Sequence, residues 1–227
     1  MKKNISPYIS IIAVLAIFAS GCTKERALMP DPVSDIEGNS YKTVKIGSQV
    51  WMAENLKTSK FNDGTEIPLI KDSEAWQELN TPGFCIYDND SRKYKELYGA
   101  LYNGYSIATG RLCPSGWHVP SRDEFRKLRE FTGDTVTGGG KLKEQGTDHW
   151  LTPNRGADNS SGFKALPSGI RYFEGSFMSV LCFTSFWSST ESVKDEAWYM
   201  SLYFGDAAVN LSSISKKQGF SVRCVKE

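Results

Sequence analysis

Histidine is nearly absent from this 227-residue chain: His118 and His149 are the only two, far from metal-ligand spacing. None of the five cysteines forms a CxxC pair, so no zinc site is expected. There is no GxSxG, the nucleophile elbow of many hydrolases. Net charge is only +1, from 27 Lys+Arg against 26 Asp+Glu, and the signs are interspersed. Without a basic face, nucleic acid is not an expected partner. Thr137-Gly138-Gly139-Gly140-Lys141 fails as a phosphate loop, because Thr135 stands where a glycine is required and Leu142 where Ser or Thr is required. It reads instead as a flexible loop. Asp88-Asn89-Asp90 is the one tight oxygen cluster, too small for calcium's six to eight ligands and better read as a turn. His118, Glu54, Asp123 and Glu124 could serve catalysis only with partners the sequence does not supply, and no enzyme is expected. No cofactor is expected either.

What is present begins at the N-terminus. Lys2 and Lys3 precede an apolar run from Ile9 to Ala19, followed by Ala19-Ser20-Gly21-Cys22. The run is too short to span a bilayer but has the length of a signal-peptide core. Small residues before a cysteine suit lipoprotein processing. Residues 1–21 are therefore expected to be a lipoprotein signal peptide and Cys22 the lipidated first residue of the mature chain. The alternative is an ordinary secretory signal with an incidental cysteine. Residues 22–39, with Pro30, Pro32 and Gly38 and no apolar period, read as a flexible tether, and 40–227 as one folded domain. The expected location is the cell envelope, on the outer membrane through the N-terminal lipid.

With Cys22 lipidated, Cys85, Cys113, Cys182 and Cys224 remain, enough for two disulfides in three possible pairings. A Cys113–Cys224 bridge would close a loop of roughly 110 residues, worth about 4–5 kcal/mol in the chain-entropy model. Cys182, in the apolar run Val180–Phe183, reads alternatively as a buried thiol.

Tyr41–Ile46 and Gln49–Met52 flank Gly47-Ser48, a hairpin signal. Phe84–Tyr87 is a short strand candidate. Leu101, Tyr102, Tyr105 and Ala108 fall at helical spacing, predicting a helix from Tyr98 to Ala108. Ser121-x-x-Glu124 is a capping box opening a second helix, expected to bury Phe125, Leu128 and Phe131 and to stop at Gly133. Gly133 to Gly162 is polar and glycine-rich. Period-two strands follow at Ile170–Phe173, Ser176–Met178 and Trp198–Phe204, then Ala208–Leu211, with Gly219–Val225 last. The sum is α+β.

Six ordered segments carry a resemblance. They are Trp51-Met52-Ala53-Glu54-Asn55-Leu56, Tyr98–Asn103, Cys113–Ser121, Ser161-Gly162-Phe163-Lys164-Ala165-Leu166-Pro167-Ser168-Gly169, Phe186–Thr190 and Gly219–Val225. In this order they resemble the Fibrobacter succinogenes major paralogous domain of Bacteroidetes and Fibrobacter lipoproteins, a family without an established general activity. Arg111-Leu112, Trp117–Glu124 and the Gly219–Arg223 ending are distantly similar to formylglycine-generating enzymes and the C-type lectin-like superfamily. That likeness implies a mixed sheet with two helices, terminal strands brought together, and a long irregular loop region for ligands. It also implies a Cys113–Cys224 staple from helix entry to last strand, leaving Cys85 and Cys182 as the second pair. The reactive cysteine pair of formylglycine chemistry and the calcium-lectin sugar motifs are missing.

The expected function is a binding module recognising glycan or protein through the polar loops. Trp150, Asp158, Asn159, Arg171 and Tyr172 are the candidate contacts, since rings, amides and charged groups suit stacking and hydrogen bonding to sugars. The alternative is a structural or accessory subunit of a surface appendage or envelope complex.

Overall fold

A computed structural model describes Met1 and residues 30–227. The expected signal segment and Cys22 lie outside the described residues. The first strands, β1 (Val33–Ser34) and β2 (Ser40–Tyr41), pair around a turn organised by Asp35. Its carboxylate accepts from the Asn39 N–H at 2.9 Å and the Tyr41 hydroxyl at 2.6 Å. The Thr43 hydroxyl donates to the Pro30 carbonyl at 2.8 Å. Residues 30–39, expected to belong to a flexible tether, thus already take part in the fold.

β3 (Thr43–Ile46) and β4 (Gln49–Met52) form the expected hairpin, with Gly47 at φ 61° in the turn. α1 (Ser73–Glu78) is capped by Asp72, whose carboxylate accepts the Ala75 N–H. β5 (Phe84–Cys85) leads into the turn Tyr87–Asn89, and Asp90 caps α2 (Ser91–Tyr98). The single helix expected from Tyr98 to Ala108 is instead β6 (Leu101–Asn103) followed by the short α3 (Gly104–Ala108). Two local features override the helical spacing. Gly99 turns the chain at φ 75° against the Leu56 carbonyl, and the Asn103 side chain accepts from the Ser106 N–H, starting a new helix.

β7 (Trp117–His118) precedes α4 (Arg122–Thr132), where both halves of the capping box form and Gly133 ends the helix. Such a cap contributes about 1 kcal/mol. Phe125 and Leu128 are buried as expected, but Phe131 is 61% exposed and lies over the Gly47 turn. The glycine run expected to be a flexible loop is a helix, α5 (Gly138–Leu142), with its backbone pressed into the core. A Cβ on Gly139 would lie 2.2 Å from the Ala208 carbonyl oxygen, and one on Gly140 2.1 Å from that of Gly156. The glycines serve close approach rather than mobility.

The last third is β-rich: β8 (Ser168–Arg171), β9 (Phe177–Val180), β10 (Phe183–Glu191), β11 (Glu196–Tyr203), β12 (Asn210–Ser215), β13 (Gly219–Phe220) and β14 (Val225–Lys226). One eight-stranded sheet runs β12-β11-β10-β8-β13-β6-β5, with β9 paired to β8. It is mixed, because β10 and β8 are parallel where Thr184 meets Gly169. A four-stranded antiparallel sheet runs β3-β4-β14-β7 and joins the first hairpin to the chain's last strand. The strand expected over Gly219–Val225 is therefore two strands in two sheets. Between them Ser221–Cys224 is fully buried, and a disulfide ties Cys224 to Cys113.

The second expected bridge does not form. Cys85 and Cys182 are free, with the Cys85 thiol buried beside Arg171 and the Cys182 thiol donating to the Ser179 carbonyl at 3.4 Å. Burial pushes the Cys85 thiol up to about 12, against the opposing pull of Arg171, so it stays protonated at neutral pH. Two aromatic-rich cores fill the interior, one around Tyr102, Trp187 and Phe220 and one around Trp51, Phe125, Trp150 and Phe163.

Candidate functional site

Two of the five expected ligand contacts are structural. Trp150 is 2% exposed, and its indole N–H donates to the Ala165 carbonyl at 3.0 Å. Arg171 is fully buried. Its guanidinium donates to the carbonyls of Gly175 (2.9 Å), Ile70 (2.6 Å), Lys71 (3.0 Å) and Asp72 (3.1 Å), between the rings of Trp76 and Phe177. Tyr172 is half-buried against the first core, whereas Trp150 belongs to the second, so the two are not brought together. Asp158 is exposed and accepts the Ser160 N–H at 2.8 Å. Asn159 lines a cavity.

That cavity has a volume of about 400 Å³. Three of the sequence segments that carry the family resemblance wall it: Glu54 and Asn55 from the first, Gly162 and Lys164 from the fourth, and Arg223 from the last. Lys42, Lys57, Glu96 and the apolar Leu97 and Leu166 also line it. Glu54 accepts the Lys42 backbone N–H at 2.8 Å, and Lys57 pairs with Glu96 at 2.6 Å. Lys164 stands 3.4 Å from Glu144, which also holds His149 at 2.7 Å. The Lys42 ammonium forms no ion pair among the described residues.

Arg223 is positioned from behind by a buried polar chain. The Thr184 and Ser168 hydroxyls meet at 2.8 Å, Ser221 donates to Ser168 at 2.9 Å, and the Asn55 amide donates to Ser221 at 3.2 Å. Arg223 Nε then donates to Asn55 Oδ1 at 2.8 Å. Its remaining hydrogen bonds go to the carbonyls of Phe163 and Lys164, and the guanidinium lies over the Phe163 and Phe186 rings. Burial pulls Arg223 down to about 9, with only through-space help from Glu54, so it remains charged at neutral pH.

A second buried cation braces the loops beside the cavity. Lys143 is fully buried and donates to the carbonyls of Arg155 (3.0 Å), Tyr203 (2.9 Å) and Asp206 (2.6 Å). Burial pulls this ammonium down to about 8 from an ordinary 10.5, with the Asp206 carboxylate opposing. Between those values the unfolded chain holds more protons at this site than the folded one, so stability rises with pH across that window. Ionisation of Tyr98, pushed up to about 12 by burial and by Glu144, acts in the opposite sense above pH 10. Urea unfolding of wild type and Lys143→Met from pH 7 to 9, below the range where Arg223 and Cys85 contribute, should show the larger rise in wild type; parallel curves would refute it.

The expected structural hydrogen bond of His118 is present, Nε2 lying 2.8 Å from Glu124 Oε1. Among the described residues no group of three or more His, Cys, Asp or Glu could hold a metal ion, and no helix is long and apolar enough to cross a membrane.

The fold and cavity define an α+β domain in which three of the six quoted segments meet at one cavity. A family model described as the Fibrobacter succinogenes major domain matches residues 44–226, and the chain belongs to that family. No curated protein and no solved structure matches it.

Proposed function

We propose that this chain is a lipid-anchored binding module of the cell envelope, on the outer membrane through Cys22, that recognises glycan or protein without catalysis. The observation that carries the reading is the convergence of three family segments on one cavity. The buried hydrogen-bonded chain behind the cavity holds its wall rigid, which lowers the ordering cost of binding. The lectin-like likeness adds support only through general features, a mixed sheet and the pairing of Val225 with Trp51 that brings the two ends of the domain together.

Folding from Pro30 onward gives the anchor a consequence. The eight residues from Cys22 to Pro30 can span at most roughly 29 Å when extended. The domain would ride close to the bilayer, with the cavity beside the tether root, since Lys42 lines it and Thr43 holds Pro30.

The test is twofold. Mass spectrometry of the native N-terminal peptide should find Cys22 acylated, and the intact domain should bind saturably on a glycan array or by surface-plasmon resonance. An unmodified N-terminus sinks the anchoring, and silence across glycans and envelope proteins sinks the recognition role.

A second reading, an accessory subunit of an appendage or envelope complex, draws on a different surface. Leu151 (46% exposed) and Leu181 (40%) are joined by a backbone hydrogen bond of 2.8 Å, and Leu181 sits at φ 70° in the turn joining β9 to β10. Exposed leucines at a strained turn suit a protein contact. Crosslinking from position 181 that recovers only monomer would dismiss this reading.

A further inference from the structure

The cavity's charge is unbalanced in a way the fold does not need. Lys42, Lys57, Lys164 and Arg223 face it against two carboxylates, Glu54 and Glu96. Lys57 pairs with Glu96 and Lys164 with Glu144, which lies outside the cavity, so Lys42 and Arg223 are left with Glu54 between them. Arg223 has no carboxylate within ion-pair distance among the described residues, although it is only 1% exposed. Its three hydrogen bonds all go to neutral oxygens, and a guanidinium carries five N–H groups, so two remain unspent. A buried charge without a counter-ion is costly to maintain unless something supplies one.

We infer that the cavity takes the carboxylate of an acidic sugar, held by Arg223 with Lys42 and Lys164 at the rim. This deepens the binding-module reading and rests on it. The remaining groups narrow the ligand. Glu54 and Glu96 would repel a doubly charged phosphate but can accept hydrogen bonds from sugar hydroxyls, as can the Asn159 amide and Ser40 hydroxyl. Leu97 and Leu166 offer the apolar surface that the C–H face of a sugar ring requires. A volume near 400 Å³ falls within the usual range of small-ligand sites and admits one or two rings rather than a folded partner. A singly charged, hydroxyl-rich ligand is the one that answers all three features.

The experiment is calorimetric titration of the intact domain with the single-ring acids galacturonate, glucuronate and mannuronate and with their methyl esters, which keep the sugar and remove the charge. At least one acid should bind about tenfold more tightly than its ester, a difference of about 1.4 kcal/mol. That preference should shrink at high salt. Lys42→Ala, at an exposed position without an ion pair, should weaken acid binding severalfold with an unchanged melting temperature, and Lys164→Ala should weaken it likewise at a small cost in stability from the lost Glu144 pair. Arg223→Met is not needed, because it would also disturb the core. Esters bound as tightly as acids would overturn the anionic assignment while leaving the binding module standing. Acid binding indifferent to both lysine changes would overturn this cavity as the site. Failure of every acid overturns the inference; if neutral glycans and envelope proteins also fail, the module reading falls with it.

Discussion

Replacing Cys113 and Cys224 by serine should lower the melting temperature by about 10–15 °C. The bridge spans 111 residues of sequence, about half the chain, and in the chain-entropy model a loop of that length is worth about 4–5 kcal/mol. Its position raises the stakes. Cys224 lies in the buried segment where the chain passes from β13 of the large sheet to β14 of the small one, and Cys113 lies between α3 and β7. The bond therefore fastens the crossing point to the small sheet's far edge. Scanning calorimetry of the double serine variant, with oxidised and reduced wild type alongside, measures the effect. A shift below about 3 °C would mean that the unfolded chain is already compact or that the bridge does not form. The free Cys85 and Cys182 give an internal check, since Cys182→Ser should leave the melting temperature nearly unchanged.

Arg171→Met should cost about 3–5 kcal/mol, and Arg171→Lys should recover less than half of it. The guanidinium joins four carbonyls from two distant segments, Ile70–Asp72 and Gly175, and fills the space between Trp76 and Phe177. Methionine matches the stem but leaves those carbonyls without donors. Lysine restores the charge, yet one ammonium cannot reproduce the planar fork. Chemical denaturation of both variants gives the comparison, and ligand binding gives the contrast. If Arg171 were instead a ligand contact, Arg171→Lys would lose binding at unchanged stability.

Local features were legible because their causes are local. The Ser121–Glu124 capping box, the Gly47-Ser48 hairpin and the strands around Ile170 and Trp198 each depend on neighbours a few residues away, and each is found. The family was legible too, because six ordered segments are hard to match by chance, and the family model covers 44–226. The binding residues were not. Trp150 sits in polar, turn-rich sequence and Arg171 in a strand, but the carbonyls they satisfy lie 15 residues away for Trp150 and, for Arg171, mostly about 100. No short-range pattern reports that. Lys42, Lys164 and Arg223 carried a signal only in part, since two of them belong to segments already singled out for resemblance.

The sequence by itself determined the family, the α+β class, the start of α4 and the β3–β4 hairpin, because capping, turn chemistry and motif order are written in contiguous residues. Tertiary structure alone decided which glycines are packing sites, which thiols stay free, which arginine is scaffold and which faces a cavity. Those outcomes depend on burial and on carbonyls brought in from distant segments, and both come into being only when the chain closes on itself.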